Sequence, residues 1–432
     1  MTDYSKQPPP VTDFGEVRLD FPQKRVLPNG MTLYTIGGGD QEVNRLEVVF
    51  GGGAYEEDMV LQATMTSSMI AHGSDTRSSQ EVAERLDFCG SWLGSRCLDS
   101  HTAVTLHSLN RCFPETLRIL ADIVYNPAFP EKELELLRNR TLSSYRTARE
   151  KVKFLASNEL SRLYFGDGHP LAKDVKDSDI ERIQADDLRW FHGRYYHPSN
   201  CTVILSGCIG EAETRLVTDI LGSMPDSRPA DPLAACPGRR SDVRFGLVDK
   251  PGAVQAAVAM ALPAPPRSHP DYIPLRVLVM ALGGYFGSRL MSNIREDKGY
   301  TYGISAMLLG RMAEANISIN TQCDNQYVKP LIDEVKSEML RLQDEPMPQE
   351  ELKMVKSYIM SDLVKTLDSP FSVASYVSSV VFFGVAPDYF NRQVECLRHI
   401  TPEVILQMAR RYLNTDDMTT VVAGDKAKIN KG

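Results

Sequence analysis

The sequence has no Cys-x-x-Cys pair, no apolar run near ~18 residues, no basic run longer than Arg239–Arg240 and no Gly-x-Ser-x-Gly. The missing apolar run argues against a membrane-spanning helix, and "YVSSVVFFGVAP" at 376–387, the richest stretch, is short and holds two serines. The missing basic excess, at a net charge of −8, argues against a nucleic-acid footprint. The missing Gly-x-Ser-x-Gly leaves a serine hydrolase without specific support. Glycine triplets at 37–39 and 51–53 lack the Lys-Ser/Thr of a phosphate loop and read as turns or close packing. The opening "MTDYSKQPPPVTDFGEV" has no apolar core, so it reads as a flexible lead-in over 1–18 rather than a secretory signal. The eight cysteines, Cys89, Cys97, Cys112, Cys201, Cys208, Cys236, Cys323 and Cys396, then read as reduced, mostly buried thiols in a cytoplasmic protein.

What the chain does have is a repeat of itself. Residues 181–207 and 398–424 align without a gap at an offset of 217, with Ile183 on Ile400, Arg194–Tyr195 on Arg411–Tyr412 and Gly207 on Gly424. "PEKELELLRNR" at 130–140 matches "PQEELKMVKSY" at 348–358, each a helix start with proline and then acidic residues suited to the positive end of the helix dipole. "AVTLHS" at 103–108 and "ANISINT" at 315–321 are alternating strands, each followed by an amphipathic helix. The strands are not separated one by one by helices, which favours mixed or antiparallel sheets over a doubly wound parallel one. The expected fold is α+β: two homologous units, each a mixed or antiparallel sheet with helices on one face, arranged as a clamshell. The expected bounds are 19–222 and 243–432, joined by a Pro- and Gly-rich linker at 223–242.

Four segments in this order, "LPNGMTLYTI", "HGSDTRSSQEVAERLDFCGSWLGS" (72–95), "LADIVYNPAFPEKELE" (120–135) and "LGGYFGSRLMSNIREDKGYTYGIS" (282–305), resemble the pitrilysin/insulinase family of zinc peptidases. The branch they look most like is the mitochondrial-processing-peptidase type, and the resemblance runs over about 22–426. In active members of that family an inverted zinc motif, His-x-x-Glu-His, precedes the glycine corresponding to Gly73. Two histidines four apart on a helix bind zinc there and the glutamate activates water. By this resemblance the histidine places are Thr64 and Ser68, the base falls at Ser67, and the third ligand falls at Ser144. Zinc takes imidazole, thiolate or carboxylate, so four hydroxyls are a poor substitute. His-x-x-Glu-His occurs nowhere, and no histidine precedes His72. His101 and His107 lie six apart on a strand, ~20 Å from one another. His192 and His197, read as one helix, diverge by ~140°. Neither pair converges on a metal.

The resemblance gives "NIREDKGYTYG" at 293–303 a meaning. An arginine and a tyrosine seven apart, Arg295 and Tyr302, match the family's pair that holds the peptide and steadies the developing oxyanion. Tyr300 is a nearby rival for the tyrosine. Gly283, Gly284 and Gly287 resemble the substrate-handling glycine-rich loop of the non-catalytic processing-peptidase subunit. The plainer alternative is a solvated Arg295 beside Glu296 and Asp297, a Tyr302 that packs on a strand, and a glycine corner. The implied protein is a zinc-less subunit, holding no cofactor itself, of a heterodimeric peptidase. Its homologous partner brings zinc on His-x-x-Glu-His, a peptide is the substrate, and a homodimer is possible when the chain is alone. A scaffold protein without a proteolytic role, or an independent zinc peptidase with unusual ligands, are the alternatives.

Overall fold

The computed structural model describes residues 14–225, 241–311 and 314–430. Nearly all of the expected linker, most of the lead-in and Cys236 lie outside the described residues.

Six strands build the first sheet: β1 (Arg25–Val26), β2 (Thr32–Gly37), β3 (Val43–Gly51), β4 (Trp92–Cys97), β5 (His101–Leu109) and β6 (Cys201–Gly207). Five build the second: β7 (Phe245–Asp249), β8 (Gln255–Ala264), β9 (Thr301–Gly310), β10 (Ala315–Asp324) and β11 (Thr419–Gly424). The orders are β1-β2-β6-β3-β5-β4 and β7-β11-β8-β10-β9, the same order once β1 is set aside. In each sheet one pair is parallel, β2 with β6 and β7 with β11, and the other pairs are antiparallel. The repeat seen in the sequence is therefore a repeat of topology, including the paired helix–turn–strand ends Ala185–Tyr195 with β6 and Pro402–Tyr412 with β11.

Period-two alternation decides which face of β8 meets what. Ala256, Val258, Met260 and Leu262 point into a core with the helices of their own half. The intervening Ala257, Ala259 and Ala261, with Val421 and Ala423 of β11, point the other way. That second face is covered by a helix of the first half, Val152–Phe165, through Ala156, Leu160 and Leu163. The converse also occurs. The helix Pro370–Phe382 of the second half lays Ala374 and Val377 on Tyr34 of β2 and Ile204 of β6. The two helices begin 218 residues apart, at Val152 and Pro370. The halves thus exchange equivalent helices, and each sheet has its own helices on one face and a single borrowed helix on the other. Alanines on β8 let the borrowed helix approach closely while its leucines fill the gap.

The halves also meet at the β9–β10 end. The Tyr55 hydroxyl donates to Glu314 (2.8 Å), Arg311 lies 3.1 Å from Asp99, and buried His169 stacks on Phe165 (4.8 Å) with its Nε2 3.3 Å from Glu314.

Candidate functional site

The helix Gln62–Met69 stands where the resemblance puts the metal-binding helix. Its N-terminus is held by buried Glu57, which accepts from the amides of Leu61 and Ala63 (both 3.1 Å) and pairs with Lys173 (3.0 Å). Burial pushes the Glu57 carboxyl above its ordinary range despite that pairing. Thr64 is exposed, and Ser68 turns its hydroxyl back to the Thr64 carbonyl (2.9 Å), the usual local satisfaction of a helical serine. Ser67 is buried beneath the helix, beside the hydroxyls of Tyr196 and Thr102. Ser144 is exposed on the helix Glu131–Arg149. The nearest thiol to this helix, Cys97, lies against Thr64 and is pushed up to about 12 by burial. No group of three His, Cys, Asp or Glu able to hold a metal exists among the described residues, so the side chains at these positions do not fit zinc.

The histidines go elsewhere. His101 and His107 share β5, where His101 stacks on Phe382 (4.5 Å) and His107 sits between Trp92 and Phe371. His192 and His197 do not share a helix: it ends at Tyr195, because Pro198 opens a new turn. The expected ~140° divergence is thus replaced by the end of the helix between them. His192 bonds the Val124 carbonyl (2.7 Å), and His72 faces Glu133 (3.4 Å).

The second half carries the other candidate residues. Tyr302 lies on β9, an edge strand bonded only to β10. The register runs Ile304 opposite Thr321 and Thr301 opposite Cys323, so Tyr302 and Gly303 together face Gln322. This is a β-bulge, the device that re-aims one side chain of an edge strand. Thr301 and Thr321 lock it: Thr301 donates to the Gln322 carbonyl (2.6 Å) and Thr321 to the Gly303 carbonyl (2.9 Å). The outcome is a tyrosine 90 % exposed, whereas Tyr300 is stacked on Tyr327 (4.8 Å) at the core.

Arg295 sits in a wide, π-type turn, Met291–Asp297, a rare geometry that recurs at functional sites. Its cationic neighbours are spoken for. Arg289 forms a two-pronged pair with Glu351 (2.8 Å on both arms) and Lys298 pairs with Glu334. Arg295 has Glu296 at 3.4 Å and lies over the exposed ring of Phe286, 4.7 Å from its centre. Tyr302, Gly283, Gly284 and Phe286 line one cavity of about 660 Å³; Arg295 is not part of its lining and touches the cavity wall only from outside, over the Phe286 ring. Gly283 is pressed on β9 so closely that a Cβ would sit 2.6 Å from the Ala306 nitrogen.

Sequence reasoning missed three contributors to this cavity. Phe286 follows the glycine turn, Gln322 owes its place to the bulge, and Lys153 arrives from the first half on the borrowed helix. An aromatic residue within ten positions of Arg295 was the one signal open to reading.

Comparison with known proteins adds to the geometry. The sequence model for "Insulinase (Peptidase family M16)" matches residues 41–170, and that for "Peptidase M16 inactive domain" matches 182–359. A protein of Mycobacterium tuberculosis called an uncharacterized zinc protease is 25% identical over 294 residues, 66% of this chain and 67% of its own length. A Helicobacter pylori protein called "Non-peptidase homolog YmxG" is 19% identical over 387 residues, 88% of each chain. The crystal structure of a peptidase M16 inactive domain from Pseudomonas fluorescens superposes with a TM-score of 0.85 at 21% identity, over 93% of this chain and 98% of that one. Two models of one family, matched in chain order over most of the sequence and joined by the same fold, make this chain a member of the insulinase (M16) peptidase family.

Proposed function

We propose that this chain is the zinc-less, substrate-holding subunit of a two-chain cytoplasmic metallopeptidase of the processing-peptidase type. Its homologous partner would carry zinc, water and base on His-x-x-Glu-His. The observation that carries the reading is the pairing of a helix without imidazole, thiolate or carboxylate side chains in the first half with an open cavity lined by Tyr302 in the second, Arg295 lying beside it over Phe286. Gly283 keeps the loop low on β9 and Gly284 leaves room for the Met280 side chain, so a peptide backbone can approach the strand. Arg295 offers forked donors to a carbonyl or carboxylate. The Tyr302 phenol, free of the core, would donate to the oxygen that gains charge when water attacks. The roles of Arg295 and Tyr302 would be in trans, the partner supplying metal and base.

The test is reconstitution with a family chain that bears His-x-x-Glu-His. The mixture should cleave peptides that neither chain cleaves alone. Tyr302→Phe should lower kcat about tenfold or more with the heterodimer assembled, and Arg295→Ala should also raise KM. Because Tyr302 is exposed, the phenylalanine variant should keep wild-type stability, so lost activity reports the hydroxyl itself. Normal kcat and KM for both variants in an assembled heterodimer would remove the peptidase role and leave a scaffold.

A further inference from the structure

A second cavity, of about 470 Å³, lies further along the edge of β9 and shares Gly284 with the first. It is lined by β9, the loop after β8, the helix Tyr272–Val279 with the turn that follows it, and the helices Gln349–Lys365, Pro370–Phe382 and Tyr389–His399. Two arginines converge there. Arg267 lies over the Phe383 ring, 4.0 Å from its centre, and donates one arm to Ser379 (2.9 Å), while its Nε is buried with no acceptor among the described residues. Arg276 donates to the Gln393 side-chain oxygen. Gln393 in turn donates its amide to the Tyr376 hydroxyl (2.6 Å), which leaves the Tyr376 proton for another acceptor. Both arginines act electrostatically on the same two phenols, Tyr376 and Tyr389.

The cluster is rich in donors and poor in acceptors. Among the described residues neither arginine has a carboxylate within ion-pair distance, and Asp362, the acid on the cavity wall, is paired with Lys365 (3.2 Å). Two half-buried guanidiniums normally recruit acids from their own chain, as Arg289 recruits Glu351 and Arg311 recruits Asp99. Here the charges face a cavity whose other walls are apolar, with Val279, Met280, Met307 and Val380. We infer that this cavity binds a carboxylate carried on an apolar stem: the oxygens would take the Arg267, Arg276 and Tyr376 donors, and the stem would lie against the aromatic and aliphatic walls. Guanidinium forks match the planar carboxylate, and a volume near 470 Å³ suits a small ligand or the last residues of a peptide. This inference stands apart from the peptidase reading, since it uses none of Arg295, Tyr302 or the first cavity's loop tip.

The test is calorimetric titration of the full chain with four probes: 3-phenylpropionate, inorganic phosphate, and one apolar hexapeptide as free acid and as C-terminal amide. Saturable binding of phenylpropionate, weakened tenfold or more in Arg276→Gln and several-fold in Tyr376→Phe, is the expected result. A free-acid peptide at least tenfold tighter than its amide would identify a peptide terminus as the natural source of the carboxylate. Equal weak binding of both peptides beside tight phenylpropionate would identify a small acid. Arg267→Gln also removes the stack on Phe383 and can unfold the region, so Arg276→Gln and Tyr376→Phe carry the decision. Binding of phosphate without phenylpropionate, absence of saturable binding by any acid, or unchanged affinity in both deciding variants would overturn the inference.

Discussion

Two glycines of the first cavity should respond oppositely to one added methyl group. Gly283 has φ −160°, outside the left-handed region reserved for glycine, so the case for Gly283→Ala rests on its contacts. The new Cβ would lie 2.6 Å from the Ala306 nitrogen and 2.7 Å from the Ala306 Cβ. Ordinary contacts lie at ~3.5–4.0 Å, so the loop must retreat by about 1 Å or β9 must yield. Overpacking of this kind costs roughly 1–3 kcal/mol, offset by about 0.4–1 kcal/mol from the stiffer unfolded chain. A net loss of about 0–2.6 kcal/mol follows. Gly303, on β9 in the same cavity, has nothing within 4 Å of its Cβ position, so Gly303→Ala keeps only the offset and should stabilise by about 0.4–1 kcal/mol. Equilibrium urea unfolding followed by circular dichroism measures both. Their difference cancels the unfolded-state contribution and isolates the close approach of loop and strand. Two variants shifted alike, or a Gly283→Ala protein more stable than the parent, would refute the packing of the loop on β9.

On the borrowed helix, Leu160→Ala should cost about 2–5 kcal/mol, measured by the same unfolding curve, because Leu160 is buried against alanines that cannot collapse to fill its space. Acid should loosen the other crossing. Burial, aided by Arg96, lowers the His101 pKa from 6.5 to about 4, so between those values the unfolded chain binds the extra proton. Stability from this group is complete above about pH 6.5 and is lost as pH falls toward 4, by at most about 3 kcal/mol. His101→Phe, which keeps a ring against Phe382, should remove that part of the acid slope, and an unchanged slope would count against it.

Local pattern carried most of the fold. The alternation in "VQAAVAMAL" predicts a strand, and 255–264 is β8, while the offset of 217 predicts matching topology, and the two sheets share one order. The exchange of helices was not readable. The apolar residues of 152–165 say that a face is covered, and both sheets offer an apolar face to cover it. The residue types at Thr64, Ser67, Ser68 and Ser144 are legible as identities, while their correspondence to the family's ligand positions rests on the resemblance anchored at Gly73. The exposure of Tyr302 was not, since it rests on one extra residue between pairing partners, a register fact that a single strand does not encode. Arg267 and Arg276 escaped notice for a related reason: whether an arginine has an acid beside it depends on helices more than a hundred residues away.

The reciprocal crossing of Val152–Phe165 and Pro370–Phe382 bears on how such a chain came to exist. A lone ancestor with one sheet and one such helix would have left its inner face bare and its helix projecting. Two identical copies, each lending that helix to the other, would have closed both faces at once through a self-complementary, two-fold contact. Fusing the copies end to end keeps every contact and removes the dilution that splits a dimer. Afterward each half is free to drift, one losing the chemistry of its inner wall and the other keeping a cavity, because neither must any longer match itself.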